Sequence, residues 1–427
     1  MKILRPDDQI YWSLPTTPLR QLKSNVKADV VIIGGGMAGL SAAQHFKNKG
    51  CSVLVVEKYY CGAGASGKSS GFITPDSEFS LGSFVQRYGS EVADQLWRFV
   101  LAGVDTIKTN IETNGLACDY QKQDSLVIAT SKKGFASDIE EEAEARSRLG
   151  YEGILYSEQT LSSVIGSSGY FGGVKYGGTF GINGFQYLQQ LKEVLIQQGV
   201  EIYEETPVLE CAKNRVTTPL ANIDAKYIII CADRWIPDLN RLVYDIYHVQ
   251  TFLMMSAPLS DKQVQKIFPQ ERLMVWDTDM LYQYYRVAED NRLLLGGSTL
   301  WQTYASQPSH NNKHMYKKLS TYFEQKFGFA PQWDFMWPGL IGVSKDIMPL
   351  AGRDKDDESI YYVGAAAGLP WACALGRYAA DVLIDNRSDL DAYFSPYRSF
   401  AYGPPLQNIL GTRLTFALSH VTSLKSF

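Results

Sequence analysis

Residues 28–58, ADVVIIGGGMAGLSAAQHFKNKGCSVLVVEK, constrain this 427-residue chain more than any other stretch. Val30–Ile33 is an unbroken β-branched run, the pattern of a strand buried on both faces of a parallel sheet. It runs into Gly34-x-Gly36-x-x-Gly39. A helical pattern follows at Leu40, Ala43, Phe46 and Lys47, closed by Gly50 where a left-handed cap is wanted. Val53–Val56 is a second buried strand, ending at Glu57. Gly34 permits a tight turn, Gly36 lets backbone approach a pyrophosphate, and Gly39 lets helix and strand pack closely. The helix start offers free N–H groups to phosphate, and Glu57, 21 residues beyond Gly36, is placed to accept from a ribose diol. A second match, Gly62-x-Gly64-x-x-Gly67, follows no strand and is not expected to form a second dinucleotide site.

The fingerprint does not separate NAD from FAD. Residues 61–75, CGAGASGKSSGFITP, are small and polar directly after the acid, so this loop can wrap a cofactor where large side chains would clash. Near the other end, Tyr361–Val363 reads as a strand, Gly364–Gly368 as a small-residue turn and Ala372–Ile384 as a helix. Such a helix start, aimed at the pyrimidine side of a flavin, would stabilise negative charge on the reduced ring. A plain βα connection accounts for the same residues.

Strand, GxGxxG, helix, strand, Glu and a GASGK loop together resemble the FAD-dependent D-amino-acid-oxidase and glycine-oxidase superfamily, with its γ-glutamylputrescine oxidase-like branch most similar. The likeness extends over residues 10 to 390: Trp12 in the lead-in, GGTFGINGFQ at 177–186, Cys231–Trp235, WPGLIGVSKDIMPLAG at 337–352, and 361–384. It implies an α/β fold: a discontinuous, Rossmann-like FAD-binding domain (1–80, 155–235, 330–390) and a second α+β substrate domain on an antiparallel sheet (81–154, 236–329). A helical tail, 391–427, would follow.

The resemblance further implies non-covalent FAD held by Gly34, Gly36, Met37, Ala38, Gly39, Glu57 and Lys58. The loop residues Ala65, Ser66, Lys68, Ser69, Ser70 and Gly71 would join them, with Val208, Gly342, Gly368, Leu369 and Pro370. Four positions depart from the pattern. Ala232-Asp233 replaces a usual glycine. Pro370-Trp371 stands where small residues flank the flavin, and Trp371 either narrows the pocket or packs as a core aromatic. Gly339 occupies the place of the cysteine that tethers FAD in monomeric sarcosine oxidases. Leu294 occupies that of their oxygen-activating lysine.

The implied activity is FAD-dependent oxidation of a C–N bond in an amine or amino acid, with oxygen or another carrier as acceptor. A γ-glutamylputrescine-like or other polyamine-derived compound is one expected substrate. Hydride transfer needs little acid–base apparatus, so five histidines are no obstacle. In MLYQYYR at 280–286, alternation puts Tyr282, Tyr284 and Arg286 on one face. If that face lines the pocket, the tyrosines can cage an amine and Arg286 can hold a carboxylate. The other reading is a structural salt bridge and tyrosines packed between domains. Tyr284, Arg286 and Trp371 are the candidate catalytic residues. A flavin-holding partner or scaffold with little turnover is the alternative function.

Composition narrows the rest. A net charge of −4 argues against a nucleic-acid partner. No apolar run is long enough to span a membrane, and Asp7 and Asp8 interrupt any signal-peptide pattern. Six scattered cysteines with no CxxC fit a reduced, cytoplasmic chain without a metal site. Leu410, Leu414, Ala417, Val421 and Leu424 recur at four-three-four-three spacing, which predicts an amphipathic helix docked on its own chain or on a second copy in a homo-oligomer.

Overall fold

The computed structural model describes residues 10–12, 19–76, 78–279, 281–305 and 312–425. β1 (Val26–Ile33) alternates half-buried and exposed residues at first, and then buries its last four completely. That change marks where the strand enters the core, with helices packed on its Val30 and Ile32 face and strand and loop residues such as Cys211, Val216 and Leu350 on its Val31 and Ile33 face. It is followed by α1 (Met37–Asn48) and β2 (Val53–Val56), as the sequence pattern predicts. β1 pairs in parallel with β2 and with Asn222–Ile230; Glu201–Tyr203 extends the sheet beyond β2, and Ile360–Gly364 pairs in parallel with Asn222–Ile230. These five strands end on one edge, at Gly34, Glu57, Glu204, Cys231 and Ala365, and ligands in parallel sheets bind outside that edge.

A second, eight-stranded sheet has the order 333–343, 247–258, 292–297, 284–287, 274–277, 125–128, 172–176, 154–157. It is antiparallel except where Met274–Asp277 runs parallel to Ser125–Ile128. A small ribbon of 72–73, 180–181 and 121–122 lies between the two large sheets in the chain path.

Three stretches of the expected domain division change sides. Residues 155–157 of the strand Ile154–Ser157 and the strand Gly172–Tyr176, expected with the cofactor sheet, belong to the second sheet because they pair onward from Ser125–Ile128. Trp333–Val343, also expected with the cofactor sheet, pairs along most of Tyr247–Pro258. Conversely, the helices Leu81–Tyr88 and Ser90–Asn114, expected with the substrate domain, share a core with β1 and α1. The second helix lies close against Leu369–Asp385: a Cβ on Gly103 would come within 2.1 Å of the Pro370 carbonyl oxygen.

After a short helix at Asp391–Phe394, the tail ends in two helices, Pro404–Leu410 and Thr412–Lys425, broken at Gly411. It docks on its own chain, but not by the predicted leucine row. Thr415, Phe416, Ser419 and His420 are buried, whereas Leu414 is 47% exposed. The docked face is one residue round from the leucines: it buries Phe416 and pairs His420 with the Tyr304 hydroxyl and the Ser344 carbonyl. No described helix is long and apolar enough to cross a membrane.

Candidate FAD and amine site

The turn after β1 is built for close approach. Gly34 has φ of +111°, and a Cβ there would stand 2.5 Å from the Cys231 carbonyl oxygen; one on Gly39 would stand 1.9 Å from that of Gly34. Only glycine fits either place. Gly36 caps α1 without a side chain, and Met37 N–H donates to the Ser66 hydroxyl at 3.1 Å. Ala38 lies half-buried beside them, its carbonyl facing Gly376 of the Leu369–Asp385 helix. The Glu57 carboxylate accepts from Gly35 N (2.7 Å) and Tyr59 N (2.9 Å), one bond per oxygen, so each oxygen keeps lone-pair capacity for a further donor. Burial raises its pKa, against the pull of those N–H groups. Lys58 lies over the Trp235 ring, and Val208 follows a turn in which Thr206 N–H donates to the Glu57 carbonyl.

The expected flavin loop is held by three donors from three distant segments. Trp337 Nε1 donates to the Lys68 carbonyl (3.0 Å), Trp12 Nε1 to Ser69 (2.8 Å) and Arg286 Nε to Ser70 (2.9 Å). A trans peptide sets N–H opposite C=O. With three consecutive carbonyls turned toward those donors, the N–H groups of Ser69, Ser70 and Gly71 face away from them. Ala65, Ser66, Lys68, Ser69 and Ser70 are all half-buried along this loop.

Asp233 accounts for the first departure from the family pattern. It adopts φ of +47°, the left-handed region that aspartate tolerates. Its carboxylate accepts from Gly342 N (2.7 Å) and Ala365 N (3.1 Å). One side chain therefore ties the end of the Asn222–Ile230 strand to the Gly342 segment and to the 364–368 turn. Gly368, at φ of +101°, precedes the Leu369–Asp385 helix, whose Leu369 and Pro370 are buried. Sequence reasoning missed Glu204, which is fully buried and accepts from Leu19 N and Cys61 N at 2.7 Å each. Its signal was available: like Glu57, it is an acid directly after a short strand, here Glu201–Tyr203. Cys61 is buried against Gly35, and burial lifts its thiol well above the usual range, so it is an inert core group.

Beside the 364–368 turn lies a cavity of about 130 Å³. Tyr284 lines it, with its hydroxyl 3.3 Å from Thr251 Oγ1, and Tyr282 joins it from the loop before the strand. Burial is the larger influence lifting the Tyr284 hydroxyl to about 12.

Two expected catalytic residues are placed elsewhere. Arg286 shares the Tyr284 face of its strand but is fully buried, donating to Ser70 O, Ile182 O (2.7 Å) and Gln123 Oε1 (3.5 Å). It makes no salt bridge among the described residues, and burial lowers its pKa to about 10. Its guanidinium is spent on backbone and is not presented to a substrate carboxylate. Trp371 packs among Phe84, Phe99 and Phe394, with ring centroids 5.9–6.2 Å apart, inside the helical layer rather than beside the cavity. A tryptophan opening this helix faces the helices against which it docks.

Three other cavity residues carried no sequence signal. Glu78 accepts from the Tyr282 hydroxyl at 3.1 Å. Tyr304 and His420 join at 2.6 Å between Tyr304 Oη and His420 Nδ1, while His420 Nε2 lies 2.7 Å from Ser344 O. That carbonyl can only accept, so Nε2 carries the proton and Nδ1 receives the Tyr304 hydroxyl. The tail thus supplies one wall of the cavity.

A family model described as "FAD dependent oxidoreductase", DAO, matches residues 29–382. The chain belongs to the DAO family. Among its relatives, the probable oxidoreductase OrdL of Haemophilus influenzae is 26% identical over 407 residues, covering 93% of this chain and 91% of that protein. The gamma-glutamylputrescine oxidoreductase of Escherichia coli is 26% identical over 399 residues, covering 91% and 92%. Glycine oxidase from Geobacillus kaustophilus superposes with a TM-score of 0.74 at 17% identity, over 88% of this chain and all of the other. L-proline dehydrogenase from P. horikoshii gives 0.73 at 16% identity, over 89% and 98%. As a DAO-family oxidoreductase the chain uses FAD, and the glycine cradle, the Glu57 acceptor and the 68–71 loop fit that cofactor.

Proposed function

We propose that this DAO-family enzyme oxidises the C–N bond of an amine, with a polyamine or polyamine-derived compound as substrate. The observation carrying this reading is the cavity wall. Tyr282, Tyr284 and Tyr304 surround a space that reaches Ala367 in the 364–368 turn, and no Lys or Arg is among the described residues lining it. Tyrosine faces attract a cation, whereas an amino-acid carboxylate would find no cationic partner. The similarity to the E. coli gamma-glutamylputrescine oxidoreductase supports the same class.

Bound FAD would supply the hydride acceptor. Gly34, Gly36, Met37, Ala38 and Gly39 would hold the diphosphate and Glu57 the ribose, with Lys58 and Val208 flanking the nucleotide. Ala65, Ser66 and the 68–71 backbone would run along the cofactor, and Gly342, Gly368, Leu369 and Pro370 would border its ring side. Trp12, Trp337 and Arg286 act behind this surface, by fixing the loop. The cavity residues orient the amine and exclude water, and the neutral His420–Tyr304 pair holds the wall in place. With Gly339 on the Trp333–Val343 strand and Cys61 occupied in the core, the cofactor would be non-covalent.

Anaerobic mixing of the holoprotein with polyamines, N-methylated amines and D- and L-amino acids tests the reading. Bleaching of the flavin by amines, with amino acids much slower, is the expected result. Reduction by amino acids alone would refute it, and acid precipitation that leaves flavin on the protein would refute non-covalent binding.

A further inference from the structure

The cavity contains one carboxylate whose charge the protein leaves unpaired. Glu78 makes no ion pair among the described residues. The two influences on its carboxyl are burial, which raises its pKa, and the opposing hydrogen bond from Tyr282. Three tyrosines stand around it. After burial, the Glu78 charge is among the causes raising the hydroxyls of Tyr282, Tyr284 and Tyr304, so all three lie within its field. An acid left this way is costly until a cation arrives, and three electron-rich rings favour that cation too.

The chemistry of oxidation restricts which nitrogen this can be. Hydride leaves the carbon of a neutral amine, and a carboxylate pair would hold its nitrogen protonated. Glu78 therefore suits an ammonium that is not the one oxidised. We infer that Glu78, ringed by Tyr282, Tyr284 and Tyr304, binds the second, distal ammonium of a di- or polyamine, and that this site selects against substrates with a carboxylate at the far end. This rests on the amine-oxidase reading and narrows it: polyamines are favoured over their γ-glutamyl derivatives.

Three ligands of equal chain length test the inference: 1,4-diaminobutane, 1-aminobutane and 4-aminobutanoate, whose far ends are cationic, neutral and anionic. Their dissociation constants are measured calorimetrically on anaerobic holoprotein, and flavin reduction is followed separately. The diamine should bind at least about tenfold more tightly than 1-aminobutane, with 4-aminobutanoate the weakest; Glu78→Gln should flatten the series, and Glu78→Arg should invert it. Equal affinities in the native protein, or an unchanged order in both variants, would overturn the Glu78 assignment. Failure of all three to reduce the flavin would count against the amine-oxidase reading while leaving the affinity order to judge Glu78. Flavin content of each variant, read by absorbance, separates a lost charge from a lost fold.

Discussion

Asp233 offers a quantitative test of how the cofactor edge is held together. Its carboxylate accepts from Gly342 N at 2.7 Å and Ala365 N at 3.1 Å, and both donor residues are buried. Asp233→Ala leaves two N–H groups without an acceptor, each costing about 1–3 kcal/mol, or about 4 kcal/mol together. Alanine also retains the strain of φ at +47°, a left-handed conformation worth about 1 kcal/mol to a residue with a Cβ. Asp233→Gly loses the same two bonds but relieves that strain, so it should be about 1 kcal/mol more stable than the alanine variant. Asp233→Asn keeps one acceptor and turns an NH₂ toward the other donor, for a loss of about 2–3 kcal/mol. Urea unfolding of the holoproteins would rank them native, Asn, Gly, Ala, and FAD release should ease in the same order. An alanine variant within about 0.5 kcal/mol of native, or a glycine variant below alanine, would refute the staple.

Three further outcomes are expected. Arg286→Leu leaves the Ser70 and Ile182 carbonyls without their donor, so FAD affinity should fall at least about tenfold, more than KM rises for any amine; a selective KM defect toward carboxylates would restore the substrate role. His420→Ala opens the tail-side wall and should raise KM more than it lowers kcat; in the native enzyme, burial lowers the His420 pKa, so amine binding should weaken only as pH falls below about 6.5. Burial likewise lowers His45 to about 4, so folding stability is complete above about pH 6.5 and is lost as pH falls toward 4. His45→Leu should therefore recover about 3 kcal/mol near pH 4 and little at pH 7; parallel urea midpoints across that range would contradict it.

What the sequence determined by itself is the half of the site made of local backbone. The order of β1, the glycine turn, α1, β2 and Glu57 was readable because the elements follow one another without interruption from Val26 to Glu57. Its chemistry also depends on backbone geometry that only certain residue types permit. The loop at 65–71 and the turn at 364–368 were legible for the same reason. Tertiary structure alone decided what faces what. Tyr284 and Arg286 share a strand face, yet one meets a cavity and the other is consumed by Ser70 and Ile182, segments over one hundred residues away. Trp371 went to the helical layer because two helices, not a flavin, pack against its side of the turn. Glu78, Tyr304 and His420 converge from loop, short helix and tail, and no periodicity encodes such a meeting. A strand's alternation fixes which residues share a face, but what occupies the space beyond it depends on how distant segments close upon it.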